Sequence, residues 1–133
     1  MPEAPDRHVF VYGTLRQGGR NDINRLTPAP VLLGPASLAG RLYTLGWYPG
    51  LRLGGPDAID VAGEVYRITP ELEARLDEIE EIQPGPGSEY FKRQVPVRVA
   101  GQWLPCLVYE INPERVRGLA PLACGDWLAF YAS

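Results

Sequence analysis

The chain has 133 residues, 45% of them hydrophobic, enough for one domain over 1–133 with a single buried core. Its net charge of −3 excludes the basic stripe that a general nucleic-acid binder needs. No apolar run approaches the roughly 20 residues of a membrane span, and residues 1–8 carry no apolar signal core. The expectation is therefore a cytoplasmic protein, a monomer or small homo-oligomer, with neither nucleic acid nor membrane as partner.

In chain order, residues 1–7 are expected as a loose N-terminal segment. Val9, Phe10, Val11 and Tyr12 are β-branched or aromatic and read as a short strand. Gly13 then breaks the pattern, and Arg16, Gln17, Gly18, Gly19, Arg20 and Asn21 read as a polar loop. A strand running into a glycine-led loop exposes backbone N–H groups where a ligand oxygen can be held. An ordinary turn is the alternative, since glycine commonly ends a strand. The loop imitates the start of a phosphate-binding loop, but Gly19 and Arg20 stand where Lys and Ser/Thr are required. Nucleotide binding is not expected. Residues 21–26 offer one helical turn.

Glycine and proline are abundant, at 15 and 14, and fall between short apolar segments, the texture of short strands and tight turns. Further strands are expected over 39–44, 62–68, 95–99 and 103–110, the last two joined through Ala100-Gly101-Gln102. Gly34-Pro35, Gly54-Gly55-Pro56 and Pro84-Gly85-Pro86-Gly87 read as loops. One helix is well marked: Thr69 suits the N-cap, Pro70 the first helical position and Glu71 the first turn. It is expected to run to about Glu81 and stop before Pro84. A short helix is expected after Gly125-Asp126, with Asp126 as N-cap. Few helices among five or more strands predict a small α+β domain.

The marked helix carries Glu71, Glu73, Asp77, Glu78, Glu80 and Glu81, and such a run ordinarily forms a solvated face. At roughly 100° per residue, Leu72, Leu76 and Ile79 define the apolar stripe, and Glu80 falls roughly 70–80° from its centre, nearest of the acids. Asp77, Glu78 and Glu81 point well away. Glu80 is thus expected where core meets solvent, where partial desolvation raises a carboxyl pKa. His8 is the single histidine, which leaves Ser-His-Asp and Cys-His sets without support. Cys106 lies in an apolar strand as a small hydrophobe, and with Cys124 it makes no metal-type spacing.

Val11-Tyr12-Gly13-Thr14-Leu15-Arg16 resembles the signature of the gamma-glutamylcyclotransferase-like family, in which a YG(T/S)L loop holds the γ-glutamyl group. The segments beginning at Gly40, Gly63 and Phe91 resemble further blocks of that family in the same order. Leu76-Asp77-Glu78-Ile79-Glu80 resembles LDxxE, the helix end bearing the family's catalytic glutamate. The blocks cover about 9–109. The family commonly has Gly after this glutamate, whereas Glu81 follows here and a long loop runs over 82–89. That departure bears on substrate identity more than on the reaction.

The resemblance implies a compact mixed β-barrel flanked by a few helices. It also implies an enzyme, a cyclotransferase acting on a small γ-glutamyl amine or amide. The substrate's own α-amine attacks its γ-carbonyl, releasing 5-oxoproline and a free amine with no cofactor and no metal. Glu80 would serve as general acid and base. The backbone N–H groups of Gly13, Thr14 and Leu15 would hold the oxyanion. Tyr12 either contacts the ligand or belongs to the core, Tyr109 either lends a hydroxyl or forms barrel wall, and Arg16 either meets a substrate carboxylate or is a solvated charge. Two alternatives stand beside this reading: removal of a γ-glutamyl protecting group in a biosynthetic pathway, and a non-catalytic binding module on the same fold.

Overall fold

The computed structural model describes residues 5–80 and 87–132. Six strands form one sheet: β1 (Arg7–Val11), β2 (Val31–Thr44), β3 (Pro49–Leu53), β4 (Ile59–Ile68), β5 (Tyr90–Val99) and β6 (Gln102–Ile111). The order β1-β4-β2-β3-β6-β5, with a further β1–β6 pairing, closes five strands into a barrel and leaves β5 outside it on β6. The closing pair is parallel, at His8↔Cys106 and Val9↔Leu107. Helices α1 (Pro70–Ile79) and α2 (Trp127–Ala132) flank the barrel, giving the α+β class expected. Among the described residues no helix is long and apolar enough to cross a membrane.

Period-2 alternation splits the core between two faces of the strands. Val9 and Val11 of β1 join Tyr66 and Ile68 of β4 and Leu107 and Tyr109 of β6 beneath Leu72 and Leu76 of α1. Phe10 and Tyr12, one residue out of phase, join Leu42, Leu51, Val65, Val108 and Trp127 of α2. Ile79, expected in the stripe of α1, is instead 39% exposed, because the last turn of the helix overhangs a cavity rather than the sheet.

Several boundaries differ from expectation. Arg7, placed in the loose segment, is the first residue of β1 and pairs with Ile68. Gly34-Pro35 is not a loop: β2 runs through it with a register shift between Leu32 and Gly34, a bulge that takes up the extra residue. β3, too short and too rich in Pro and Gly to carry a strand pattern, was not foreseen. α1 starts as expected, with Thr69 Oγ1 accepting from the Leu72 amide at 3.1 Å, but ends at Ile79 with Glu80 as C-cap. Glu81 and the Pro84-Gly85-Pro86 stretch lie outside the described residues. The helical turn expected over 21–26 is a 3-10 turn at Ile23–Arg25, and Asp126 Oδ1 caps α2 through the Ala129 amide at 3.1 Å.

β5 and β6 meet in a two-residue hairpin flanked by Val99↔Gln102, with positive φ at Ala100 (50°) and Gly101 (78°). Two positive φ values in succession define the tight hairpin turn for which Asn-Gly is the preferred pair. Ala100 adopts it at the expense of strain between its Cβ and the backbone. Ala100→Asn is expected to stabilise the fold by about 1 kcal/mol, read as a thermal midpoint a few degrees higher. An unchanged or lower midpoint would mean that the turn carries no strain.

Candidate active site

A cavity of about 250 Å³ opens where β1 empties into its glycine-led loop. Tyr12, Gly13, Thr14 and Leu15 form one side, Pro49 starts β3 beside them, and Glu80 reaches in from the end of α1. Tyr90 and Tyr109 form the wall, with Trp47, Tyr48, Ile79 and Glu89 around them. Of the residues singled out from sequence, Tyr12, Gly13, Thr14, Leu15, Glu80 and Tyr109 share this cavity. Arg16 does not border it.

The loop is held by its carbonyls. The Arg16 amide donates to Gly13 O at 3.0 Å, the Asn21 amide to Thr14 O at 2.8 Å and the Ile23 amide to Leu15 O at 2.9 Å. Asn21 Nδ2 also donates to Thr14 Oγ1 at 3.2 Å. No described group accepts from the amides of Gly13, Thr14 or Leu15, which leaves three N–H donors at the edge of the cavity. Arg16 secures the same loop from behind. Its Nε donates to Glu64 and its guanidinium reaches Asp126 Oδ1 at 2.8 Å, while Glu64 Oε1 also accepts from the Gln17 amide at 2.8 Å. Of the two readings left open for Arg16, a substrate contact and a solvated charge, the structure shows neither: two protein carboxylates hold its guanidinium.

Gly13 has a packing role that the sequence did not show. A Cβ there would lie 2.5 Å from Pro49 Cγ and 2.9 Å from Pro49 Cδ. The loop can lie against the start of β3 only without a side chain.

Tyrosine hydroxyls around the cavity are committed to the protein. Tyr12 donates to Tyr109 O at 2.6 Å and accepts from the Leu51 amide at 3.2 Å. Tyr90 donates to Pro49 O at 2.7 Å, Tyr109 to Asp77 Oδ1 at 2.8 Å and Tyr48 to Glu89 Oε2 at 2.6 Å. Burial above all pushes the Tyr12, Tyr90 and Tyr109 phenols far above their ordinary range, so they remain neutral. Asp77, read from sequence as pointing away, faces β5 and β6: it takes Lys92 Nζ at 2.9 Å as well as the Tyr109 hydroxyl.

Glu80 is half-buried, and no donor among the described residues reaches its carboxyl. Burial first, and the neighbouring Glu89 carboxylate second, raise its pKa from 4.5 to about 8. A carboxyl so placed can hold or release a proton near neutrality, the property needed of a general acid–base group. Cys106, by contrast, is fully buried in β6 with its thiol pushed up to about 11 by burial, unfit as a nucleophile. Among the described residues no three His, Cys, Asp or Glu side chains gather as a metal-binding group.

Known proteins resemble this chain in sequence and in fold. Residues 9–129 match the family model described as "Gamma-glutamyl cyclotransferase, AIG2-like". The chain is 42% identical over 88 residues to the gamma-L-glutamyl-butirosin B gamma-glutamyl cyclotransferase of Niallia circulans, an alignment covering 65% of this chain. It spans 54% of that relative, about half its length. A Vibrio cholerae protein provisionally named a gamma-glutamylcyclotransferase is 33% identical over 121 residues, 90% of this chain and 93% of its own. The crystal structure of a mouse AIG2-like protein superimposes with a TM-score of 0.75 at 24% identity over 93% of this chain and 89% of that one, a likeness of fold.

Two outcomes follow from the site's geometry. Gly13→Ala is expected to destabilise by about 1–3 kcal/mol through overpacking against the Pro49 ring. Adding Pro49→Ala, which removes the two colliding carbons, should recover part of that loss in urea unfolding; no recovery would show that Pro49 is not the obstacle. The second outcome concerns the buried carboxyl. Because its folded pKa of about 8 lies above the unfolded value near 4.5, the contribution of Glu80 to stability is full below pH 4.5 and falls as pH rises towards 8. Glu80→Gln should therefore melt with the wild type's pH dependence removed, gaining on wild type from pH 5 to 8 and levelling above. A wild type that gains on the variant across that window would overturn the burial of Glu80.

Proposed function

The chain belongs to the gamma-glutamyl cyclotransferase, AIG2-like family, and from that premise we propose that it converts a small γ-glutamyl amine or amide to 5-oxoproline and a free amine. The observation that carries the proposal is one cavity joining a donor-free Glu80 carboxyl to the unpaired amides of Gly13, Thr14 and Leu15. These are the two components the cyclisation requires, one following β1 and the other following α1.

The reaction balances within the substrate. The α-nitrogen forms a bond to the γ-carbon, the bond from that carbon to the leaving nitrogen breaks, and no water is consumed. The attacking ammonium gives up two protons in becoming the lactam N–H, and the leaving nitrogen gains two in becoming an ammonium. Glu80, as carboxylate, takes a proton from the attacking nitrogen and returns it to the leaving one, a contribution of about 10²–10⁴ in rate. The amides of Gly13, Thr14 and Leu15 meet the oxyanion that forms on the γ-carbonyl oxygen. The aromatic walls of Tyr12, Tyr90 and Tyr109 fold the glutamyl chain into its attacking conformer, where orientation is worth about 7–11 kcal/mol of barrier at its upper range. The nucleophile is the substrate's own amine, so this chemistry calls on no cofactor.

A second reading is favoured by one observation. The similarity to the butirosin relative supports a role in removing a γ-glutamyl protecting group, with the same bond changes on a larger substrate.

Glu80→Gln keeps size and hydrogen-bonding capacity but not the base. It is expected to bind γ-glutamyl compounds by calorimetry while kcat for 5-oxoproline release falls about 10²–10⁴-fold. Wild-type activity should rise with pH and level off above about 8, as Glu80 loses its proton. Full turnover by Glu80→Gln would remove Glu80 as the base. Binding without any 5-oxoproline from the wild type would make the protein a binding module.

A further inference from the structure

Resting on the cyclotransferase reading, we infer that Asp126 and Glu64 are positioning residues for the reaction: through Arg16 they hold the Gly13, Thr14 and Leu15 amides in place at the cavity. Neither carboxylate borders the cavity. Each bonds the guanidinium of the loop that does, Glu64 at Nε and Asp126 at Nη1, the latter at 2.8 Å. Arg16 directly follows the three donors in sequence and does not itself border the cavity. Two carboxylates on one forked side chain fix both where it lies and how it is turned, which a single point contact does not.

Both carboxylates are carried by β4, the strand that pairs with β1 and precedes α1. Glu64 belongs to it, opposite Val11 at the end of β1, and is buried. Besides Arg16 it accepts from the Gln17 amide at 2.8 Å and the Tyr66 hydroxyl at 3.3 Å. Tyr66 in turn accepts from Asn24 Nδ2 at 3.3 Å, where the loop has entered its 3-10 turn. Asp126 meets the loop from 110 residues away in sequence. Before it, Gly125 O accepts from the Ala62 amide of β4 at 2.8 Å, and a Cβ at Gly125 would collide with Asp60 O. After it, Trp127 is fully buried in the core. Asp126 thus stands between two anchors and has little freedom to follow Arg16 should the loop move.

Donors to a developing oxyanion act by being in place before the charge appears. The backbone bonds of the loop run within itself, between Gly13 and Ile23, and set its internal shape. Glu64 and Asp126 join that shape to the barrel. The charge these donors meet exists in the transition state and not in the bound substrate. A residue that only places them is therefore felt in kcat and not in KM.

Asp126→Ser tests this, because serine caps α2 as aspartate does but is too short to reach Arg16. With the γ-glutamyl amide of butylamine as substrate, kcat per folded molecule is expected to fall about tenfold. KM should stay within about twofold of wild type and the pH profile should not move, since Glu80 is untouched. Arg16→Met, which releases both carboxylates, should lose more, and adding Asp126→Ser to it should cost little further. Leu128→Ala, which thins the packing of α2 without touching Arg16, should keep the wild-type kcat. Wild-type kcat in Asp126→Ser, or a change in KM alone, overturns the inference and leaves the cyclotransferase reading intact. An equal loss in Leu128→Ala, or a shifted pH profile, overturns it too, by placing the effect in packing or at Glu80. A loss in Arg16→Met no greater than in Asp126→Ser removes Glu64 from the assignment, and Asp126→Ser decides alone should Arg16→Met fail to fold. No 5-oxoproline from the wild type overturns the cyclotransferase reading, and this inference with it.

Discussion

The Tyr12 hydroxyl is the contact on which the rest of the site depends. β3 and β6 pair at Leu51↔Glu110, and beside that point a ladder hydrogen bond is replaced by a side chain. Tyr12, leaving the end of β1, donates to the Tyr109 carbonyl on β6 and accepts from the Leu51 amide on β3. Each of those backbone groups, buried and unpaired, would cost about 1–3 kcal/mol. A hydroxyl that accepts on one side and donates on the other bridges a wider gap than a direct N–H···O bond. The hydroxyl thus ties β1, β3 and β6 together beside the cavity that Tyr12 and Tyr109 border. The same residue fixes the start of the loop, since Gly13 follows it directly and lies against Pro49 at the head of β3.

From that arrangement the electrostatics of Glu80 follow. Four tyrosines border the cavity, and every one of their hydroxyls is given to a protein acceptor: two backbone carbonyls, Asp77 and Glu89. What they offer the cavity is ring surface. A carboxyl beside such ring surface is desolvated, and burial is accordingly the first cause of its raised pKa. The site is neither polar nor apolar in the simple sense. Its polar atoms are present but spent, except for the amides of the loop and the two carboxyl groups.

Much of this was legible in the sequence, for physical reasons that also mark where legibility stopped. The strand into Gly13 and the cap at Thr69 are local signals, and both stand where expected. Glu80 was picked by helical phase, and the structure places its carboxyl in the cavity. Yet it is the C-cap of α1 rather than part of the helical face, and Ile79 of the same stripe is exposed. Phase alone cannot show where a helix ends. Asp77 was misread, and Arg16 left open, for a related reason. A charged side chain's role depends on its partner, and Lys92, Tyr109, Glu64 and Asp126 are distant in sequence from the charges they meet. β3 escaped because its five residues include a proline and a glycine, which read as turn when no partner strand is known. Glu89 and Tyr48 could have been noticed only as a pair, and no sequence pattern pairs them.

One helical turn carries two carboxyl groups that receive opposite treatment, and the contrast explains how Glu80 is held. Asp77 has Lys92 at 2.9 Å and the Tyr109 hydroxyl at 2.8 Å. One turn earlier, Glu73 takes the same lysine at 2.6 Å and Arg7 of β1 at 3.2 Å. These pairs are partly exposed and each is worth no more than about 1 kcal/mol in stability. Their value is positional, because they tie α1 to β1 and β5 by bonds that do not touch the cavity. The role proposed for Glu80 is compatible with this, since a salt bridge of its own would hold it in one charge state. Its position has to come from neighbours. In this chain the neighbours are Asp77 and Glu73, whose bonds to Arg7, Lys92 and Tyr109 hold the helix at whose end Glu80 stands.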